Sequence, residues 1–160
     1  MITGPTSHSY ISQRVRLHYV DWGNPDAPPL ILLHGGRDHC RSWDWVAEEL
    51  RHDWHVIAPD LRGHGDSAYS PDGQYALDAY IGDLQAILAA LPNRAVVVTA
   101  GLGALIALAA VGEGAPHLAS GLALVDANIW IDQAVASRMG QALASRTMEF
   151  DDPAEIVNAI

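Results

Sequence analysis

Apolar and polar positions along this chain alternate between two rhythms. Ser9 to Gln13 and Arg16 to Asp21 read as two short strands of a hairpin, with Trp22-Gly23-Asn24-Pro25 as the turn that leaves it. Leu30 to Leu33 is an unbroken apolar run after Pro28-Pro29, the pattern of a strand buried on both faces. A helix is predicted near Trp43 to Leu50, a strand over His55 to Ala58, and a glycine-rich loop over Leu61 to Ser67. Leu77, Ile81, Leu84, Ile87, Leu88 and Leu91 then keep helical spacing, and Pro92 ends that helix. Ala95 to Thr99 is a strand, Leu102 to Val111 a helix and Gly121 to Val125 another apolar strand. Strands that alternate with helices after an opening hairpin imply an α/β fold, with a mostly parallel sheet and helices on both faces. The tail predicts a helix over Ile131 to Ser145. A further helix starts at Asp152, with Pro153 in its first turn and Glu155 reaching back to the cap.

Composition narrows the class of protein. The chain has 160 residues, 49% apolar and 18% charged, which suits a globular domain able to bury a core. Its net charge is −10 and every basic residue is arginine, an acidic balance that argues against nucleic acid and against anionic membranes as partners. Cys40 is the single cysteine, so no internal disulfide is available, as suits a reducing cytoplasm. The start, MITGPTSHSY, lacks the charged and apolar regions of a signal peptide, and the apolar run Ala104 to Val111 is too short to cross a bilayer. The expectation is a soluble cytoplasmic protein.

Three motifs carry candidate chemistry. Leu33-His34-Gly35-Gly36 follows a buried strand, and glycines there allow backbone N–H groups to face a cavity, as an oxyanion hole requires. Asp60-Leu61-Arg62-Gly63-His64-Gly65-Asp66-Ser67 follows the next strand, and Thr99-Ala100-Gly101-Leu102-Gly103 joins a strand to a helix. In this order and spacing, from about Tyr10 to Asp126, they resemble the α/β-hydrolase family. Tyr19, Asp21, Trp22, Gly23 and Trp43 add to the likeness. The resemblance implies an oxyanion hole built from the N–H groups of Gly36 and Leu102, a pocket loop holding His34, Gly35 and Arg37, and a nucleophile elbow at Gly101. It implies Asp126, at the end of the sixth strand, as the acid of a triad; a loop or capping aspartate is the other reading.

The elbow departs from the family pattern. A nucleophile normally occupies the position of Gly101, in a strained conformation that exposes its reactive atom; glycine relieves the strain and removes the atom. Family order also places a histidine after the acid, and no histidine follows Asp126 in this sequence. The reading is therefore an α/β-hydrolase core over residues 1–128 with the opening of a helical cap over 129–160. Such a core derives from an ester or lactone hydrolase and is inactive as written, its last strands expected beyond Ile160. The alternative is a non-catalytic binding or interaction protein on the same scaffold. The substrate, where there is activity, is a small acyl compound; no cofactor and no metal are expected. An apolar last strand with neither lysine nor proline predicts self-association or a C-terminal partner at that edge. His34 reads as a structural loop histidine, Arg62, His64 and Asp66 as residues that organise their own loop, and Cys40 as half-buried and structural.

Overall fold

β1 (Thr6–Ser12) and β2 (Val15–Asp21) form the opening hairpin. Its two-residue turn, Gln13-Arg14, has positive φ at both positions (47° and 64°), the mirror-image turn whose twist matches that of the flanking strands. Neither residue is Gly or Asn, so the turn is invisible to composition, and β1 begins three residues earlier than the apolar pattern predicts. The computed structural model describes residues 4–127, within a compact unit spanning Met1–Ala127. The two predicted tail helices and residues 129–160 of the expected cap lie outside the described residues.

The remaining strands are β3 (Pro29–Leu33), β4 (His55–Pro59), β5 (Ala95–Ala100) and β6 (Ala119–Val125). They assemble into one sheet in the order β1-β2-β4-β3-β5-β6. β2 meets β4 antiparallel, while β4, β3, β5 and β6 run parallel. The sheet is thus mixed and mostly parallel, as the alternation of elements predicts. Helix α1 (Asp44–Leu50) follows a 3-10 turn at Cys40–Trp43, α2 spans Leu77–Ala90 and α3 spans Leu102–Ala107. The helix predicted to run on to Val111 instead widens into a π-helical stretch, Leu108–Gly114, where the Gln85 amide donates to Ala110 O at 3.0 Å. A side chain that takes a main-chain carbonyl is a recognised way to loosen a helical ladder.

Alternation along β3 explains the two cores. Ile31 and Leu33 pack with Ile57, Val97, Leu84, Ile87 and Ile106 on the α2/α3 face. Leu30 and Leu32 pack with Val56, Ala58, Ala47 and Trp22 on the α1 face. Burying one such aliphatic side chain contributes roughly 1.5–3 kcal/mol. Both faces of β3 are therefore committed to packing, which leaves the loops at the ends of the parallel strands free of that task.

Candidate functional site

Residues 101–103 turn sharply from β5 into α3. Gly101 has φ 53° and ψ −122°, a conformation that L side chains rarely adopt, and Ala104 N donates to Gly101 O at 3.1 Å to start the helix. The tip is exposed. A Cβ placed on Gly101 would meet only Gly35 Cα, at 3.7 Å, so space for a side chain remains above the turn. Gly103 is different: a Cβ there would run into Thr99 Oγ1 and come within 2.6 Å of His34 O. The last glycine of the motif lets α3 close onto the ends of β5 and β3. Thr99 lies wholly buried beneath the turn, and its hydroxyl has no hydrogen-bond partner among the described residues.

The loop after β3 lies against this turn. A Cβ on Gly35 would touch Ala100 O at 3.4 Å, and one on Gly36 would touch Leu102 Cβ at 3.8 Å. The two backbone segments proposed to hold an oxyanion are therefore neighbours, and Leu102 opens the helix, where N–H groups lack intrahelical acceptors. His34 is fully buried. Its Nδ1 donates to Gly35 O at 2.6 Å and its Nε2 accepts from Leu61 N at 3.0 Å, which fixes a neutral tautomer joining two loops. Burial is the main cause that holds its pKa below the ordinary histidine value. Arg37 is exposed with φ 63°, while Asp38 accepts from His39 N and Ser42 Oγ and so closes the next turn. Asp126 is exposed, with φ 47°, one residue past the Ala100↔Val125 pair that ends the β5–β6 ladder. The register thus sets Asp126 beside the β5–α3 turn at the same end of the sheet.

Asp60 organises the next loop. Its Oδ1 accepts from Cys40 N at 2.7 Å; its Oδ2 accepts from His18 Nδ1 at 2.7 Å and from Asp66 N at 3.0 Å. Burial alone would raise the pKa of this carboxyl, but these hydrogen bonds outweigh burial and hold it below the usual aspartate value. A Cβ on Gly65 would collide with the same carboxylate, which explains the glycine. Arg62 extends the loop to α2 through paired hydrogen bonds to Asp83 at 2.7 and 2.8 Å, both side chains almost fully buried, and also donates to Gln74 O. Within the loop the His64 ring bonds Arg62 O at 3.0 Å, whereas the Arg62 side chain corrects the expectation that it serves its own loop, since it reaches out to α2.

Cys40 corrects the expectation of half-burial: it is 2% exposed, and burial, followed by the Asp60 charge, pushes its thiol up to about 12. Ligand atoms of His18, Cys40 and Asp60 gather within 4.8 Å of one another. His18 Nδ1 is already bonded to Asp60 and the thiol is held protonated, so this donor set fits a hydrogen-bonded cluster better than a cation, which takes thiolate and free imidazole nitrogen. Sequence reasoning missed His18 and Asp83. Both lie in regular elements and find their partners only through the fold; helical spacing sets Asp83 beside the core residues of α2 but does not show its charge partner.

Comparison with known proteins fits this geometry. A family model described as the alpha/beta hydrolase fold matches residues 28–152. An esterase of Mycobacterium tuberculosis is 35% identical over 126 residues, covering 78% of this chain and 41% of its own length. Mouse epoxide hydrolase 4 is 34% identical over 106 residues, 63% of this chain and 30% of that protein. The crystal structure of E-2-(acetamidomethylene)succinate hydrolase superposes with a TM-score of 0.81 at 22% identity, over 92% of this chain and 54% of its own, a likeness of fold. This chain thus spans less than half the length of both curated relatives. Among the described residues no helix is long and apolar enough to cross a membrane. With strand order and family model in agreement, the chain belongs to the α/β-hydrolase fold family.

Proposed function

We propose that this protein descends from an ester or lactone hydrolase and has lost catalysis at the elbow while keeping the backbone frame that holds a carbonyl oxygen. One observation carries the reading: Gly101 retains the elbow turn, φ 53° and ψ −122°, and has no side chain to attack a substrate. Chemistry at an elbow needs a nucleophile whose proton is taken by a base. Neither neighbour replaces it, since Thr99 is buried below the turn and Ala100 has no functional group. The N–H groups of Gly36 and Leu102 remain as an oxyanion site, and Asp126 keeps the place of the acid. Small acyl compounds are the class of ligand such a site would take, with no cofactor required.

A second reading, a non-catalytic interaction protein, is favoured by β6. It is the outermost strand of the described sheet, and Val125 is 48% exposed. An edge of this kind pairs with another strand, from a second copy or from a C-terminal partner segment.

The test is hydrolysis of p-nitrophenyl acetate and butyrate by the unaltered chain. The expected result is no turnover at the rate of an ordinary esterase, on the order of 10 per second. Turnover at that rate, with an acyl adduct mapped to residues 99–103, would refute the proposal.

A further inference from the structure

A second hydrogen-bonded relay lies at the hairpin end of the sheet, away from the elbow. Ser7 Oγ and His18 Nε2 are 2.6 Å apart, and His18 Nδ1 and Asp60 Oδ2 are 2.7 Å apart. Asp60 decides where the protons are. Its carboxylate takes two backbone N–H groups, from Cys40 and Asp66, and acts as an acceptor on both oxygens. Nδ1 of His18 therefore carries a proton, and in the neutral imidazole Nε2 is the acceptor, to which the Ser7 hydroxyl donates. The order is hydroxyl, imidazole, carboxylate, each in direct hydrogen-bond contact with the next, which is the geometry that activates a serine.

The surroundings suit that task. Ser7 is exposed, whereas the His18 side chain is only 6% exposed, so a shielded base stands beside an accessible hydroxyl. The backbone of His18 is held on both sides: its N–H donates to Ser67 Oγ at 2.9 Å and its carbonyl accepts from Asp60 N at 2.9 Å. Both of these bonds point away from β1, so the Ser9↔His18 pair exchanges none across the hairpin, and by alternation neither does Ser7↔Val20. The N–H of Ser7 consequently faces the outer edge of β1, the outermost strand at this end among the described residues, where it can meet a developing oxyanion. Ser7 and His18 both lie outside residues 28–152, which the family model matches, and Ser7 also precedes Tyr10, where the resemblance in sequence begins.

We propose that Ser7 is an acyl-accepting nucleophile, with His18 as its general base and Asp60 as the positioning residue behind it, acting on small activated acyl esters at the edge of β1. Ser7 Oγ forms a bond to the acyl carbon while the bond from that carbon to the leaving oxygen breaks. His18 Nε2 takes the hydroxyl proton and passes it to the leaving alcohol. Water then hydrolyses the acyl-serine, with the same nitrogen as base.

The test uses the whole chain and diisopropyl fluorophosphate, from which Oγ displaces fluoride, followed by digestion and fragment mass spectrometry. Ser120, also exposed, supplies the rate of a serine without a base. Ser7 is expected to gain one diisopropylphosphoryl group at least ~10²-fold faster than Ser120, the usual worth of a positioned base. His18→Gln should bring Ser7 down to the Ser120 rate, and unfolding in urea should do the same. Labelling of Ser7 no faster than Ser120 in the folded chain overturns the proposal, as does an undiminished rate in folded His18→Gln. If His18→Gln does not fold, the comparison of Ser7 with Ser120 in native and urea-unfolded chain decides alone. An unlabelled Ser7 leaves the empty-elbow reading intact, because the two sites share neither nucleophile nor peptide.

Discussion

Adding one methyl group at Gly101 and, separately, at Gly103 tests how the turn between β5 and α3 is built. At position 101 the new Cβ meets only Gly35 Cα, at 3.7 Å, so no atom has to move. The cost is conformational: φ 53° with ψ −122° strains a non-glycine residue by roughly 1–3 kcal/mol, offset by about 0.4–1 kcal/mol because alanine also restricts the unfolded chain. The net loss expected for Gly101→Ala is about 0–2.6 kcal/mol. At position 103 the obstruction is steric, since the Cβ would lie 2.6 Å from His34 O and 3.0 Å from Leu33 O, backbone atoms that cannot rotate aside. Relief requires α3 to lift from the sheet, and Gly103→Ala should cost about 3 kcal/mol or more. Urea unfolding followed by tryptophan fluorescence measures both, and unchanged m-values would show that the same surface is exposed on unfolding. Gly103→Ala no more destabilising than Gly101→Ala would refute this account of the turn.

Three other outcomes follow from buried polar groups of the fold. Thr99→Val replaces a buried hydroxyl lacking a partner with a methyl of similar shape and should stabilise the fold by about 1 kcal/mol, read as a higher urea midpoint. Asp83→Ala leaves the Arg62 guanidinium buried without its carboxylate and should cost about 3–5 kcal/mol, with little dependence on salt because the pair is shielded from solvent. Asp60 has a folded pKa below its ordinary value, so its contribution is present above the unfolded value and is lost as pH falls through the folded one. Stability should therefore drop below about pH 4, and Asp60→Asn should flatten that limb of a plot of urea midpoint against pH.

The strands and α2 were legible because their physics is local. Unbroken apolar runs mark strands covered on both faces, as Leu30 to Leu33 shows, and the spacing from Leu77 to Leu91 can only be a helix. The sharp turn from β5 into α3 was legible from the strand, glycine and helix pattern over residues 99–103. Other features came from tertiary context. Gln13-Arg14 carries no turn-forming residue, so only the hairpin it closes reveals the positive φ at both positions. The π-helical stretch after α3 has an unremarkable alanine-rich sequence and is accompanied by a bond from Gln85, which belongs to α2. Ser7, His18 and Asp60 come from β1, β2 and the loop after β4, separations that no short motif spans. The burial of Cys40 depends on the Asp60 carboxylate, twenty residues further on, which accepts from its N–H.

Asp60 ties together the hairpin, the turn before α1 and the glycine-rich loop with a single carboxyl group. The hairpin and the glycine-rich loop are joined as well through the His18 backbone, which bonds Ser67 Oγ and Asp60 N, so the carboxyl reinforces a joint that main-chain bonds already make. A chain in which this joint has been neutralised should shed its amino-terminal hairpin as a unit while the parallel strands stay paired, and amide exchange in acid would show β1 and β2 opening together, ahead of the rest.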